Sequence, residues 1–231
     1  HADEEGIFLA SETISFKQLR QTVQDLPCDL RMVILDSCFS GALTRSKGGK
    51  KHPINIQPLA TPTRGYAFLT SSSPGETSQE SDHIGGSYFT LSLISGLRGA
   101  ADFRRDGLVT LNEAYQYAYQ ETLEQTLGSA RGVQHPHFDI QISGANEVIL
   151  TDLGRSPSRF NFDKTMEGRL SIYGTNARLV SDIKKNVGRP LDLGLEPGNY
   201  RMILEKATGS FAAEVSLSSG QTQLLLEKQF S

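Results

Sequence analysis

Polar and apolar positions along the chain follow two regimes that change near Asp152. In the first, short apolar runs alternate with stretches of helical period. Ile7-Phe8-Leu9-Ala10 follows a turn glycine and reads as a strand. Over 15–26 the apolar positions Phe16, Leu19, Val23 and Leu26 fall three or four residues apart, which puts them on one helix face. Ser15 is placed to cap that helix and Pro27 to stop it. Residues 32–35 read as a buried strand and 66–70 as another. Helices are predicted over 86–99, through Phe89, Leu93, Ile94 and Leu97, and over 111–127, through Ala114, Tyr117, Ala118 and Leu127. Residues 138–142 and 148–150 have the look of edge strands.

Strands alternating with helices predict βαβ units. The expectation for 1–152 is therefore an α/β domain with a mostly parallel sheet flanked by helices. Residues 153–167, with "LGRSPSR", read as a linker. From 168 to 231 short alternating runs are broken by turn signals such as Pro197-Gly198-Asn199 and Ser218-Ser219-Gly220, with no competing helical period. That predicts a small all-β module, a sandwich.

Composition narrows the function classes. The chain has 231 residues, 37% hydrophobic and 21% charged, with a net charge of −3. Nothing in that balance recruits nucleic acid or an anionic membrane. No apolar run approaches the roughly 18 residues that would span a bilayer. The two cysteines have no framework spacing, and Cys28 and Cys38 flank a predicted strand that would hold them apart. The chain opens at His1 without an initiator Met or a signal peptide, so it reads as a fragment or processed product whose targeting is not legible. The compartment is left unknown, with the cytoplasm slightly favoured.

The chemistry concentrates in "RMVILDSCFSG" at 31–41. Reactive groups in open parallel sheets lie beyond the carboxyl ends of strands. Cys38 stands three residues past the last apolar residue of its strand, and the small Ser40 and Gly41 follow it. Such residues let the chain turn and let a substrate backbone approach the sulfur. A nucleophilic thiol also needs a base or an electropositive setting.

Asp-Ser-Cys-Phe-Ser-Gly, together with His1-Ala2-Asp3-Glu4-Glu5-Gly6 upstream, resembles the caspase-like cysteine peptidases of the bacterial, metacaspase-like type. The likeness covers about 1–150, and its His-to-Cys spacing is shorter than the roughly 50 residues of caspases. It implies a Cys-His dyad of Cys38 and His1, with an oxyanion hole from the backbone N–H groups of Ala2 and Cys38. Phe39 stands where metacaspase-like enzymes usually carry a His, and Ala2 where a Gly is usual. The likeness also implies that strands preceding the catalytic His belong to a segment outside this chain, which would be a partner of it.

The resemblance extends to "YAFLTSSSPGETSQES", where Glu80 takes the place of the Arg that holds an aspartate in caspases. Asp36, two residues before the cysteine, takes the place of an acid that binds a basic side chain. Two carboxylates at one pocket should select Arg or Lys and repel Asp. The following loop is basic, and Arg45, Lys47, Lys50 and Lys51 are candidate self-cleavage points. No aromatics interleave with these charges to suggest nucleic acid.

"DFRRDGLVTLNE" at 102–113 has the register of a calcium loop, with Asp102, Asp106 and Glu113 as candidate ligands. Arg104 stands at a ligand position and should cut affinity severely. The loop is expected to keep a turn geometry with Glu113 as a cap. No cofactor is otherwise implied. The reading that results is a cysteine endopeptidase acting on protein or peptide substrates after Arg or Lys. The alternatives are a catalytically weak or inactive scaffold or binding protein that kept the fold, and a calcium-responsive regulator with the Asp102 loop as its sensor.

Overall fold

The computed structural model describes residues 2–3, 5–9, 12–38, 40–44, 63–82, 84–144 and 146–231. In chain order the elements begin with β1 (Gly6–Leu9), β2 (Glu12–Ser15), α1 (Phe16–Gln24), β3 (Leu30–Leu35) and β4 (Arg64–Thr70). They continue with β5 (Glu80–Ser81), β6 (Gly86–Ser87), α2 (Tyr88–Ser95), β7 (Leu108–Thr110), α3 (Leu111–Thr126), β8 (His137–Ser143) and β9 (Ile149–Asp152). The remaining strands are β10 (Ser158–Phe162), β11 (Gly168–Tyr173), β12 (Leu179–Lys185), β13 (Leu191–Leu195), β14 (Gly198–Lys206), β15 (Gly209–Leu217) and β16 (Thr222–Leu225). Contacts divide the chain into two units. One takes residues up to 80, 87–89 and 119–148; the other takes 81–86, 90–118 and 149–231.

In the first unit, Ser15 caps α1 as its position suggests. Its Oγ accepts from the Gln18 N–H at 3.2 Å, and Gln18 Oε1 accepts from the Ser15 N–H at 3.0 Å. Phe16 and Val23 bury the inner face of α1 with Leu43 and Phe68. Arg20 then fixes the helix: its guanidinium donates to the Leu43 carbonyl at 2.9 Å and the Tyr66 hydroxyl at 3.0 Å, and pairs with Asp139. It also lies over the Phe68 ring, 4.8 Å from the centroid.

The expected mostly parallel sheet flanked by helices does not form among the described residues. The central sheet has three strands in the order β3-β4-β8, with β3 parallel to β4 and β8 antiparallel to it. The other strands find nearer partners. β1 closes on β2 as an antiparallel hairpin. The run at 148–150, expected at the edge of the main sheet, contributes to β9, which pairs with β7 in a sheet of two. Apolar runs of four to six residues identify strands but carry no information about their partners.

The second unit holds a larger core. A four-stranded antiparallel sheet, β12-β11-β14-β15, faces a three-stranded sheet, β13-β10-β16, across Phe160, Phe162, Leu170, Ile172, Met202 and Leu204. β10 lies inside the stretch expected as a linker; its Phe160 and Phe162 are fully buried, and their period-two spacing puts both on the core face. The turn after α2, Gly96–Ala100, belongs to this unit, and Ala100 packs on its core. Gly99 has φ +128°, and a Cβ there would sit 2.1 Å from the Asp192 carbonyl oxygen, so only glycine allows this approach. The hydroxyl of Ser95, fully buried, accepts from the Asp182 N–H and the Ser181 hydroxyl, each at 3.2 Å.

Two expectations test this core. Phe160→Ala should cost about 3–5 kcal/mol in chemical denaturation; a loss below about 1 kcal/mol would contradict its central place. Lys185 is 3% exposed, donates to the Met166 and Asn186 carbonyls at 3.0 Å, and burial lowers its pKa from 10.5. A pKa lower in the folded than in the unfolded state means stability rises as pH climbs from the folded value towards 10.5. The stability of the wild type relative to Lys185→Met should therefore increase over that window in pH-dependent melts. A flat or falling difference would contradict the burial of the charge.

Candidate active site at the end of β3

The chain leaves β3 at Leu35, turns through Asp36, Ser37 and Cys38, and enters a 3-10 helix at Ser40–Thr44. The small residues after the cysteine have a definite packing reason. A Cβ on Gly41 would lie 2.2 Å from the Pro74 nitrogen and the Ser73 carbonyl carbon, so the turn presses backbone to backbone against 73–74. Ser40, fully buried, sets its Oγ 3.4 Å from the hydroxyls of Ser71 and Ser72. Ser71 also binds both backbone groups of Ser37, accepting from its N–H at 3.2 Å and donating to its carbonyl at 3.3 Å.

These contacts fasten the end of β3 to the segment that leaves β4. Cys38 is half-buried and carries a free thiol, with Sγ 3.9 Å from the Ser78 carbonyl oxygen. Asp36 is exposed and accepts from the Ser78 hydroxyl at 2.9 Å. Glu80, two residues further on, is also exposed. One stretch, 71–80, thus lines the cysteine turn and holds one of the two expected specificity carboxylates.

Buried amides hold that stretch in turn. Gln134, 1% exposed, donates to the Ser71 carbonyl at 2.6 Å and accepts from the Gln79 N–H at 2.7 Å. Gln79, 4% exposed, donates to the Gly132 carbonyl at 2.8 Å and accepts from the Ser129 hydroxyl. Glu76 takes both the backbone N–H and Nδ1 of His135, at 3.0 and 2.9 Å. The Thr44 hydroxyl donates to the Gly41 carbonyl at 2.7 Å, which leaves its oxygen to accept from His137 Nδ1, also at 2.7 Å. Sequence reasoning missed Gln79, Gln134, Glu76 and Thr44 as supports. The only local signal was the serine run that follows β4.

The other expected site residues are placed unevenly. His1, Phe39, Arg45, Lys47, Lys50 and Lys51 lie outside the described residues. Ala2 makes an isolated bridge with Ile7 and packs on the cluster of Phe16, Val23, Leu43 and Phe68. Leu35 and Ala42, on either side of the cysteine turn, pack on that same cluster.

The calcium candidates are occupied by donors of the protein itself. Asp102 accepts from the N–H groups of Asp106 and Gly107 at 3.2 and 3.0 Å, and Asp106 from that of Leu108 at 3.0 Å. Burial raises the Asp102 pKa, with the backbone donors at Gly107, Asp106 and Arg105 working against the rise. Glu113 accepts from the N–H and hydroxyl of Thr110 at 3.0 and 2.8 Å and so caps α3. Arg104 Nε stands 3.3 Å from Glu113 Oε1 and 3.5 Å from Asp106 Oδ2, a guanidinium where a cation would be wanted. Among the described residues no three His, Cys, Asp or Glu groups gather in a way that could hold a metal ion.

No protein-family model, curated protein or solved structure matches the chain.

Gln134→Leu tests the support. It would leave the Ser71 carbonyl and the Gln79 N–H buried without a partner, which should cost about 2 kcal/mol or more in denaturant melts. A neutral substitution would mean that 71–80 does not depend on this amide.

Proposed function

We propose that the chain is a cysteine endopeptidase in which Cys38 is the nucleophile and His1 the base, with Asp36 and Glu80 selecting Arg or Lys. The observation that carries the reading is the half-buried Cys38 thiol beyond β3, in a turn clamped by Ser71 and Gly41, with Asp36 held beside it by Ser78. A nucleophile at the end of a sheet strand, on a rigid turn and beside an exposed carboxylate, fits attack on a peptide carbonyl next to a basic side chain. Ala2 shares its apolar cluster with Leu35 and Ala42, which favours His1 as the base.

In this reading Cys38 Sγ attacks the scissile carbonyl carbon and its proton passes to His1. The backbone N–H groups of Ala2 and Cys38 receive the oxyanion. The tetrahedral species collapses, and the leaving amine takes the proton from His1. Water then hydrolyses the thioester, with His1 as base, and frees Cys38.

One observation favours the second reading, a binding protein that retains the turn without catalysis. Of the histidines described, His135 is engaged by Glu76 and His137 by Thr44. Among the described residues neither reaches the Cys38 thiol, whose partner is the Ser78 carbonyl.

Fluorogenic peptides ending in Arg or Lys should be cleaved and those ending in Asp should not. Cys38→Ala should abolish cleavage, while changing the exposed Cys28 should not. Asp36→Asn should lower kcat/KM for Arg substrates roughly 10- to 100-fold. Wild-type protein should show a nick after Arg45, Lys47, Lys50 or Lys51 by intact mass, and Cys38→Ala should stay whole. Activity that survives Cys38→Ala, or cleavage after Asp alone, would remove this proposal. A thiol at Cys38 that alkylates no faster than Cys28, with no peptide cleaved, would favour the binding protein.

A further inference from the structure

The second unit contains a cavity of about 490 Å³ that the peptidase reading does not use. Its floor is apolar, with Leu153, Val180 and Leu195. Two arginines enter it from separate elements. Arg98 comes from the turn Gly96–Ala100, and Arg178 from the residue that follows the turn Thr175–Ala177.

Arg98 is the group that needs an explanation. Its side chain is half-buried, and its Nη1 is buried without a hydrogen-bond partner among the described residues. Among the described residues neither Arg98 nor Arg178 forms an ion pair. Glu196 borders the cavity but pairs with neither. The Tyr200 hydroxyl is already spent, donating to the Glu196 carbonyl at 2.6 Å. Burial raises the Tyr200 pKa, so the phenol is no counter-anion. Burial depresses the pKa of Arg98 below its ordinary value; Tyr200 opposes this and the charge of Arg178 adds to it. A guanidinium stays protonated even so. Two uncompensated cations, one partly desolvated, are costly unless an anion meets them.

We propose that this cavity binds a small organic oxyanion, a carboxylate or phosphate head on an apolar body, with the head held by Arg98 and Arg178. Guanidinium donors match the oxygens of either head. The apolar floor accepts the body, and the volume lies within the ordinary range of small-molecule sites.

Phenylacetate, phenyl phosphate, inorganic phosphate and the neutral phenylacetamide serve as probes, titrated by calorimetry and thermal shift against the full chain. Phenylacetate or phenyl phosphate should bind saturably below about 10 mM and raise Tm, and the tighter of the two identifies the head. Inorganic phosphate should bind more weakly, and phenylacetamide should not bind. Arg98→Met and the exposed Arg178→Gln should each weaken binding roughly tenfold or more. Arg98→Met should also melt no lower than the wild type without ligand, because it removes a buried charge that has no partner. Three results would each overturn the site: no saturable binding of either aromatic anion, equal binding of the amide, or an Arg98→Met protein less stable than the wild type. The last would make the guanidinium a structural group.

Discussion

Gly41 has no room for a side chain. Its α-carbon meets the backbone of Ser73 and Pro74, and a single methyl would drive the two segments apart. The position of Cys38 follows from that contact. The 3-10 turn that begins at Ser40 can reach the segment leaving β4 only because Gly41 lets backbone touch backbone. Once there, Ser40, Ser71 and Ser72 fill the remaining space with hydroxyls. The buried amides of Gln79 and Gln134 stiffen the same segment from its other side. Rigidity at the thiol comes from a backbone approach and from satisfied buried polar groups, more than from apolar packing.

Much of this was legible one element at a time. The cap of α1 at Ser15, the strands around 32–35 and 66–70, and the helix around 111–127 all follow from periodicity and capping chemistry, which are local. The reactive turn was legible for a related reason: a thiol followed by Ser and Gly at a strand end is a short-range signal. Partnership was not legible. A period of two says which face of β10 is buried, yet "SRFNF" was hidden behind the Pro, Ser and Arg residues that made its surroundings look like a linker. The parallel sheet failed for the same reason, since each strand's partner depends on distant residues. Gln79 and Gln134 were invisible because a buried amide in a loop has no periodicity to betray it.

The boundary placed near Asp152 marks a change in pattern and not a change in packing. The turn Gly96–Ala100 and the strand β7 sit with the later strands. Ser95 accepts from β12, Gly99 meets Asp192, and Ala100 joins the apolar core. Arg98 lies in the middle of that docking turn. Its unpaired guanidinium is therefore set by contacts made on either side of it, by Ser95, Gly99 and Ala100, and not by any partner of its own.

Strand β10 has a consequence for how the second unit assembles. Its antiparallel neighbour β13 starts some thirty residues later, and its parallel neighbour β16 lies further still, with Arg159 opposite Thr222. The hairpin of β14 and β15, by contrast, closes through a turn of two residues at Ala207 and Thr208. Loop-closure entropy makes such hairpins quick to form and makes the β10–β16 pairing slow. Until that pairing forms, Phe160 and Phe162 have only part of their core around them. A newly made chain therefore exposes two aromatic rings on a strand with an unpaired edge for as long as the sheet waits to close, which is the interval in which it is open to aggregation.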